Sequence, residues 1–148
     1  MGIPRFILSD FMLQYSLRGI ALGTPLHEYC HLVTLRLLGG SGEILSTALN
    51  QMQPMTYTYW QLVGAAYAGG VISGLIWLLL SLRDGDEENR LISQVLAINH
   101  VAYGLFEGTA YLLGRYELIG AGSLIGGTLM VGVIAAYILT RLQQVVPT

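Results

Sequence analysis

The chain has 148 residues, of which 53% are hydrophobic and 11% are charged. A soluble domain carries about 25% charged residues, so this composition predicts an integral membrane protein. All seven basic residues are arginine, the formal net charge is −2, and no segment concentrates basic side chains, which argues against nucleic-acid binding. The single cysteine, Cys30, excludes an intramolecular disulfide. We expect one all-α, multi-pass domain covering residues 1–148.

In chain order, the apolar segments predict an interfacial helix followed by four membrane-spanning helices. Residues 4–17 combine apolar side chains with Arg5, Asp10 and Gln14, which is typical of a helix at the membrane surface. The predicted spans, each near the ~20 residues that a bilayer requires, are 18–38, 60–82, 91–113 and 118–142. Gly39 and Gly40 end the first span. Residues 43–59 are too polar to span, so we expect a short hairpin or a re-entrant segment there.

The most informative residues lie inside the first predicted span. His27-Glu28-Tyr29-Cys30-His31 forms the pattern His-Glu-x-x-His. On a helix, His27 and His31 lie one turn apart on the same face, where two imidazoles can bind one Zn²⁺ with Glu28 beside them as a general base. Ionisable side chains in a bilayer are costly and therefore indicate a functional site. The alternative is a polar cluster that only packs helices together, and the desolvation of three unpaired groups argues against it.

A zinc protease needs a third protein ligand, and the candidates lie on the predicted third span. Asn99, His100, Tyr103 and Glu107 fall within one quadrant of that helix and form a polar stripe. His100 and Glu107 are roughly 10 Å apart along the axis, so an unbroken helix can bring only one of them to the metal. We favour Glu107 as the ligand and His100 as a packing neighbour, the alternative for Glu107 being a protonated carboxyl between helices. For Asn99 and Tyr103, interhelical hydrogen bonding and a role in the site stay equally open.

These residues resemble the site-2 protease family of intramembrane zinc metalloproteases, and within it a compact subgroup. The segments that carry the resemblance are Leu26–His31 with Leu37–Gly40, then Gly64–Gly70, and finally Ala97–Asn99 with Glu107-Gly108. The resemblance implies a metalloprotease-like core over residues 20–114, with 118–142 as an additional span. It implies that His27, His31 and Glu107 bind zinc, that Glu28 is the general base, and that Asn99 orients the substrate or stabilises the transition state.

Two positions depart from the family pattern. Glu107 stands where the family has an aspartate ligand, and Ala102 stands where it has the first proline of the third-helix motif. A glutamate is one methylene longer and still offers a carboxylate to a metal. A helix without the prolines is less broken, which implies a different substrate cleft. These departures affect proteolysis more than they affect zinc binding.

The resemblance implies an intramembrane zinc metalloendopeptidase that hydrolyses peptide bonds in or near transmembrane segments of protein substrates. The alternative is a non-proteolytic relative that keeps the zinc and acts as a structural or assembly subunit of a membrane protein complex. A transporter is less favoured, because the polar residues concentrate at one site. We expect zinc as the cofactor, membrane lipids and a transmembrane protein as partners, and a prokaryotic cell membrane as the location.

Overall fold

The computed structural model describes residues 5–45 and 51–145, and most of these are helical. Its elements are α1 (Arg5–Arg18), a π-helical turn (Gly19–Gly23), α2 (Thr24–Leu37), β1 (Ser41–Leu45), β2 (Gln51–Thr56), α3 (Tyr59–Ser81), α4 (Glu87–Leu113) and α5 (Glu117–Val145). Residue 4 of the predicted interfacial helix and residues 46–50 of the predicted polar stretch lie outside the described residues. The helices otherwise match the predicted helical segments closely.

The first two helices are separated only by one widened turn. The Thr24 N–H at the end of this π-helical turn donates to the Gly19 carbonyl, five residues earlier. Pro25 follows in the first turn of α2, and because proline has no N–H it cannot continue the regular hydrogen-bond pattern. Widened turns of this kind occur often at functional sites. Here the turn directly precedes the helix that carries the His-Glu-x-x-His segment.

The polar stretch after α2 forms an antiparallel hairpin, which is one of the two alternatives expected for it. β1 pairs with β2, and the register places Ile44 opposite Met52. Gly39 has a φ of 89°, a left-handed conformation that ends α2 and turns the chain into the hairpin. The Arg36 guanidinium donates to the Gly42 carbonyl at 3.1 Å. The hairpin therefore lies against the end of the helix that carries the motif.

α3 and α4 approach each other closely at Gly70 and Gly104. A Cβ atom on either glycine would overlap the backbone of the other, so the crossing requires glycine at both positions. Small residues allow the same close approach between membrane helices. Thr58 begins α3 with a capping box, in which its N–H donates to Gln61 Oε1 at 2.7 Å and its hydroxyl accepts from the Gln61 N–H. The crossing fixes the position of α4, and with it the position of the polar stripe.

The fold buries a small core and leaves many large apolar side chains exposed. The core contains Phe11, Trp77, Ile92, Leu96 and Ala97. Exposed apolar side chains occur on each of α2 to α5, among them Val33, Leu37, Leu75, Leu79, Leu105, Leu113, Leu124 and Val131. By length and composition, one helix among the described residues, Tyr59–Ser81, could cross a membrane. The helical class is confirmed, with the hairpin as its one β element among the described residues, and the four spans stay a prediction.

Candidate metal centre

Three polar atoms from two helices converge in the interior. α2 places His27 and His31 one turn apart on its buried face, where the two side chains are 7% and 6% exposed. Their Nε2 atoms are 2.9 Å apart. Glu107 on α4 brings its Oε2 atom to 3.2 Å from His27 Nε2 and 3.3 Å from His31 Nε2. The three atoms form a nearly equilateral triangle, which we call the ligand triangle.

The size of the ligand triangle fits a small divalent cation. Zinc binds histidine nitrogen and carboxylate oxygen at about 2.0–2.2 Å, and in a tetrahedral site this places neighbouring ligand atoms about 3.3–3.6 Å apart, slightly farther than the ligand triangle before a metal enters. The edges of the ligand triangle lie between 2.9 and 3.3 Å. One cation can therefore contact His27, His31 and Glu107 together and keep a fourth position open. The His27–Glu28–His31 cluster, whose ligand atoms lie within 4.8 Å of one another, could hold a metal ion.

A hydrogen bond from the opposite side of the ring sets the tautomer of His31. Its Nδ1 lies 2.7 Å from the Ala65 carbonyl oxygen on α3. Because a carbonyl can only accept, Nδ1 carries the proton, and the Nε2 of the neutral ring presents a lone pair to Glu107. Metal-binding histidines commonly make this outer hydrogen bond. His31 Nε2 and Glu107 Oε2 then face each other as two acceptors at 3.3 Å. Either a cation between them or a second proton on the imidazole relieves their repulsion.

His27 is held by packing and not by an outer hydrogen bond. Among the described residues, the buried Nδ1 of His27 has no hydrogen-bond partner. The ring makes edge contacts with His31, at 4.5 Å between ring centroids, and with Tyr103, at 5.3 Å. His27 is therefore oriented by the aromatic rings around it, and its Nε2 atom is the one that faces Glu107.

Glu28 lies beside the ligand triangle and contacts the hairpin. Its Oε2 atom accepts a hydrogen bond from the Met52 N–H of β2 at 2.7 Å. This contact joins the strand to the middle of the motif. It also engages one carboxylate oxygen of Glu28, while the second oxygen makes no hydrogen bond to a described residue. A carboxylate held in this way can exchange a proton with a neighbouring water molecule.

Two cavities meet at the site. The larger cavity, of about 350 Å³, is lined by Thr24, His27, Glu28, Asn99, His100, Tyr103, Ser123 and Gly127. The smaller cavity, of about 140 Å³, is lined by Glu28, His31, Gln51, Met52, Pro54, Leu62, Ala66, Tyr103, Glu107 and Tyr111. Glu28 and Tyr103 line both. The ligand triangle therefore lies between two spaces that can hold water or part of a substrate.

The other polar residues of α4 lie near the ligand triangle but outside it. His100 is one side of the larger cavity, with its ring centroid 5.7 Å from that of His27, and its Nε2 atom occupies the space that a Cβ on Gly23 would need. Asn99 donates from Nδ2 to the Tyr15 hydroxyl at 3.0 Å. The structure thus brings Glu107, and not His100, to the paired histidines. The role of Asn99 stays a prediction.

Sequence reasoning did not single out three residues that shape this site. These are Ala65, whose carbonyl fixes His31, Tyr15, whose hydroxyl holds Asn99, and Gly69, which leaves room for the His31 ring. A Cβ atom at position 69 would overlap that ring. For Ala65 and Gly69, the small-residue run of α3 indicated close packing without naming the partner. For Tyr15 the sequence offered no comparable signal.

We predict that Gly69→Ala weakens metal binding by roughly 10- to 100-fold, the cost usual for changes just outside a metal's ligands. The added methyl group pushes the His31 imidazole out of the ligand triangle, because α3 is held in place by its glycine crossing with α4. Zinc titration of the purified protein measures the effect. Gly120→Ala is the control, since a Cβ at that position has no neighbour within 4 Å. Equal zinc affinity in Gly69→Ala and wild type would contradict the steric argument.

Comparisons of the chain with protein-family models, with curated proteins and with solved structures find no match. The class of protein is therefore defined by the fold and the site alone. It is a mostly helical protein in which, among the described residues, one helix is long and apolar enough to cross a membrane, and in which two buried histidines and a partly buried glutamate could hold a metal ion.

Proposed function

We propose that the protein is an intramembrane zinc endopeptidase of the site-2 protease type. The observation that carries the proposal is the ligand triangle of His27, His31 and Glu107, with the carboxylate of Glu28 beside it. Three protein ligands, an open fourth position and an adjacent general base are the parts that zinc peptidases use. They lie here on one short motif and one distant helix, which is the arrangement that the resemblance implies.

The distribution of apolar side chains supports a multi-pass location for the protein. Leu37 on α2, Leu79 on α3 and Leu124 on α5 are 81%, 62% and 72% exposed, whereas the imidazoles of His27 and His31 are buried. A soluble monomer rarely exposes large contiguous apolar surfaces. Lipid acyl chains would cover these surfaces, and the polar site would stay inside the helical protein. We therefore include α2, α4 and α5 with α3 in the membrane.

The proposed reaction is the hydrolysis of a peptide bond. Zinc, when bound, supplies Lewis acidity toward a water molecule and the scissile carbonyl. Glu28 takes one proton from the water molecule while the water oxygen forms a bond to the carbonyl carbon. Glu28 then passes that proton to the amide nitrogen as the carbon–nitrogen bond breaks. The products are a carboxyl terminus and an amino terminus. Glu28 suits both proton transfers because it lines both cavities and has one carboxylate oxygen free of described partners.

The site favours a locally unwound polypeptide segment as substrate. Its polar groups lie between helices, so a substrate backbone must leave its own helix to reach them. The larger cavity has room for a few side chains, and Asn99, which lines it, would orient the substrate there. A segment at the end of a transmembrane helix suits this site, because its backbone unwinds at low cost and its side chains can then enter the larger cavity.

One contact favours the alternative function, a zinc-binding structural or assembly subunit. The Met52 N–H engages Glu28, and this hydrogen bond makes the general base part of the hairpin's attachment to α2. In a structural subunit, that attachment alone would account for a glutamate at position 28. The cavities that reach Glu28 favour the enzyme, since a purely structural zinc site is closed to water.

Metal dependence tests the proposal first. The detergent-purified protein, prepared without chelator, is expected to contain about one zinc per chain. It should cleave internally quenched β-casein, lose this activity after treatment with a chelator, and regain it on addition of Zn²⁺. His27→Ala is expected to lack both zinc and activity. A wild-type protein without zinc would overturn the proposal, and zinc without any cleavage would favour the structural subunit.

A further inference from the structure

Tyr103 lies beside the ligand triangle and has no role in the reaction proposed above. It lies on α4 one turn before Glu107, and its ring makes an edge contact with the His27 ring, with centroids 5.3 Å apart. Among the described residues, only Glu28 also lines both cavities. Tyr103 therefore lies at the junction of the two spaces, next to one histidine of the ligand triangle.

Its hydroxyl group is free of hydrogen bonds to the described residues. Three other tyrosines of the helical region have partners: Tyr15 accepts from Asn99, Tyr59 donates to the Leu112 carbonyl, and Tyr67 is paired with Thr109. Tyr111 shares the free hydroxyl, but among the two cavities it lines the smaller one alone. A half-buried hydroxyl usually finds a partner within the protein or in water. At Tyr103 the adjoining cavities provide the space for that partner.

The proposed reaction is helped by a hydrogen-bond donor at the carbonyl oxygen, in addition to the metal. When water adds to a peptide carbonyl, negative charge develops on the carbonyl oxygen, and a preorganised donor lowers the barrier. Most polar groups around the ligand triangle are acceptors, among them Glu28, Glu107 and the Nε2 atom of His31. Of the nearby donors, the Met52 N–H is engaged by Glu28, and one of the two Nδ2 hydrogens of Asn99 is engaged by Tyr15.

We propose that the Tyr103 hydroxyl donates a hydrogen bond to the carbonyl oxygen of the scissile peptide as negative charge develops on it. The proposal rests on the peptidase function and adds a catalytic residue to it. The sequence pattern alone gave Tyr103 no assigned role, since a tyrosine on a polar helix stripe serves equally well between helices. What distinguishes it here is a free donor beside His27 and between the two cavities.

The test compares Tyr103→Phe with Tyr67→Phe, each of which removes one tyrosine hydroxyl and keeps the ring. Tyr67 bonds to Thr109 between α3 and α4 and lines neither cavity at the site, so it is the matched control. The kcat of Tyr103→Phe for internally quenched β-casein is expected to fall roughly 10²- to 10³-fold, the effect of removing one oxyanion donor. Its KM and zinc content should equal those of wild type, and Tyr67→Phe should retain full activity.

A second readout does not depend on turnover. Zinc-loaded protein is titrated with a phosphinic pseudopeptide, whose tetrahedral oxygens mimic the charged intermediate state, and with a hydroxamate carrying the same side chains. In Tyr103→Phe the affinity for the phosphinate should fall by roughly 10-fold or more relative to the affinity for the hydroxamate, since a hydrogen bond to a charged group is lost.

Failure of this inference and failure of the peptidase proposal give different results. If wild type, Tyr67→Phe and Tyr103→Phe all cleave casein at the same rate, the proposed role of the Tyr103 hydroxyl is overturned, while the proposed peptidase function is supported. Loss of zinc in Tyr103→Phe would also overturn it, because the residue would then be structural. If wild type cleaves nothing and binds the phosphinate no better than Tyr103→Phe does, both proposals fail.

Discussion

Glu107→Ala is expected to lower zinc affinity by more than about 100-fold, since the loss of groups that merely support a ligand already costs roughly 10- to 100-fold. Among the described residues, Glu107 is the one that brings a carboxylate oxygen within 3.3 Å of both Nε2 atoms. Removing it leaves the two imidazoles of the ligand triangle without their carboxylate, and it also removes a negative charge that offsets the cation in a buried setting. Zinc content per chain, measured after dialysis against a weak chelator, gives the result directly.

One further variant separates charge from shape at this position, and a second, at His100, is its control. Glu107→Gln keeps the volume and loses the charge, so we expect it to lose zinc as Glu107→Ala does. His100→Ala is the matched control on the same helix, because its ring lies near His27 but outside the ligand triangle. Full zinc content in Glu107→Ala together with loss in His100→Ala would move the third ligand to His100 and would weaken the family resemblance.

The choice between these two residues shows how far helix geometry alone can predict a site. The rise of a helix excludes simultaneous ligation by His100 and Glu107, and the structure places the carboxylate against both histidines. The helical segments and the hairpin could likewise be predicted, because apolar runs, glycines and polar stretches act locally. The four spans and the zinc itself stay predictions.

Other parts of the site depend on contacts between distant segments, which a single sequence does not reveal. The Ala65 carbonyl fixes the tautomer of His31 although alanine has no functional group of its own. Gly69 and Gly70 are neighbours in the same small-residue run, yet the first makes space for an imidazole and the second for the backbone of α4. Which glycine meets which partner is set by the crossing of α3 with α2 and α4. Composition predicts close packing there, but it cannot assign the partners.

The two proposed functions share the metal and differ in the role of Glu28. As a general base, Glu28 must exchange a proton with water. As a structural residue, it needs only to accept the hydrogen bond from the Met52 N–H at 2.7 Å. A glutamine at position 28 separates these roles, because its side-chain carbonyl still accepts that hydrogen bond but it cannot take a proton at neutral pH.

Glu28→Gln is therefore expected to keep its zinc and its hairpin and to lose casein cleavage by roughly 10²- to 10⁴-fold, the usual contribution of a general base. Glu43→Gln on β1 is the control, since Glu43 is exposed and the substitution removes the same charge away from the site. Cleavage at wild-type rate in Glu28→Gln would exclude Glu28 as the base. If zinc-loaded wild type, Glu28→Gln and Glu43→Gln all lack activity, the hydrogen bond to Met52 becomes the reason for a glutamate at this position, and the structural subunit becomes the better account of the metal centre.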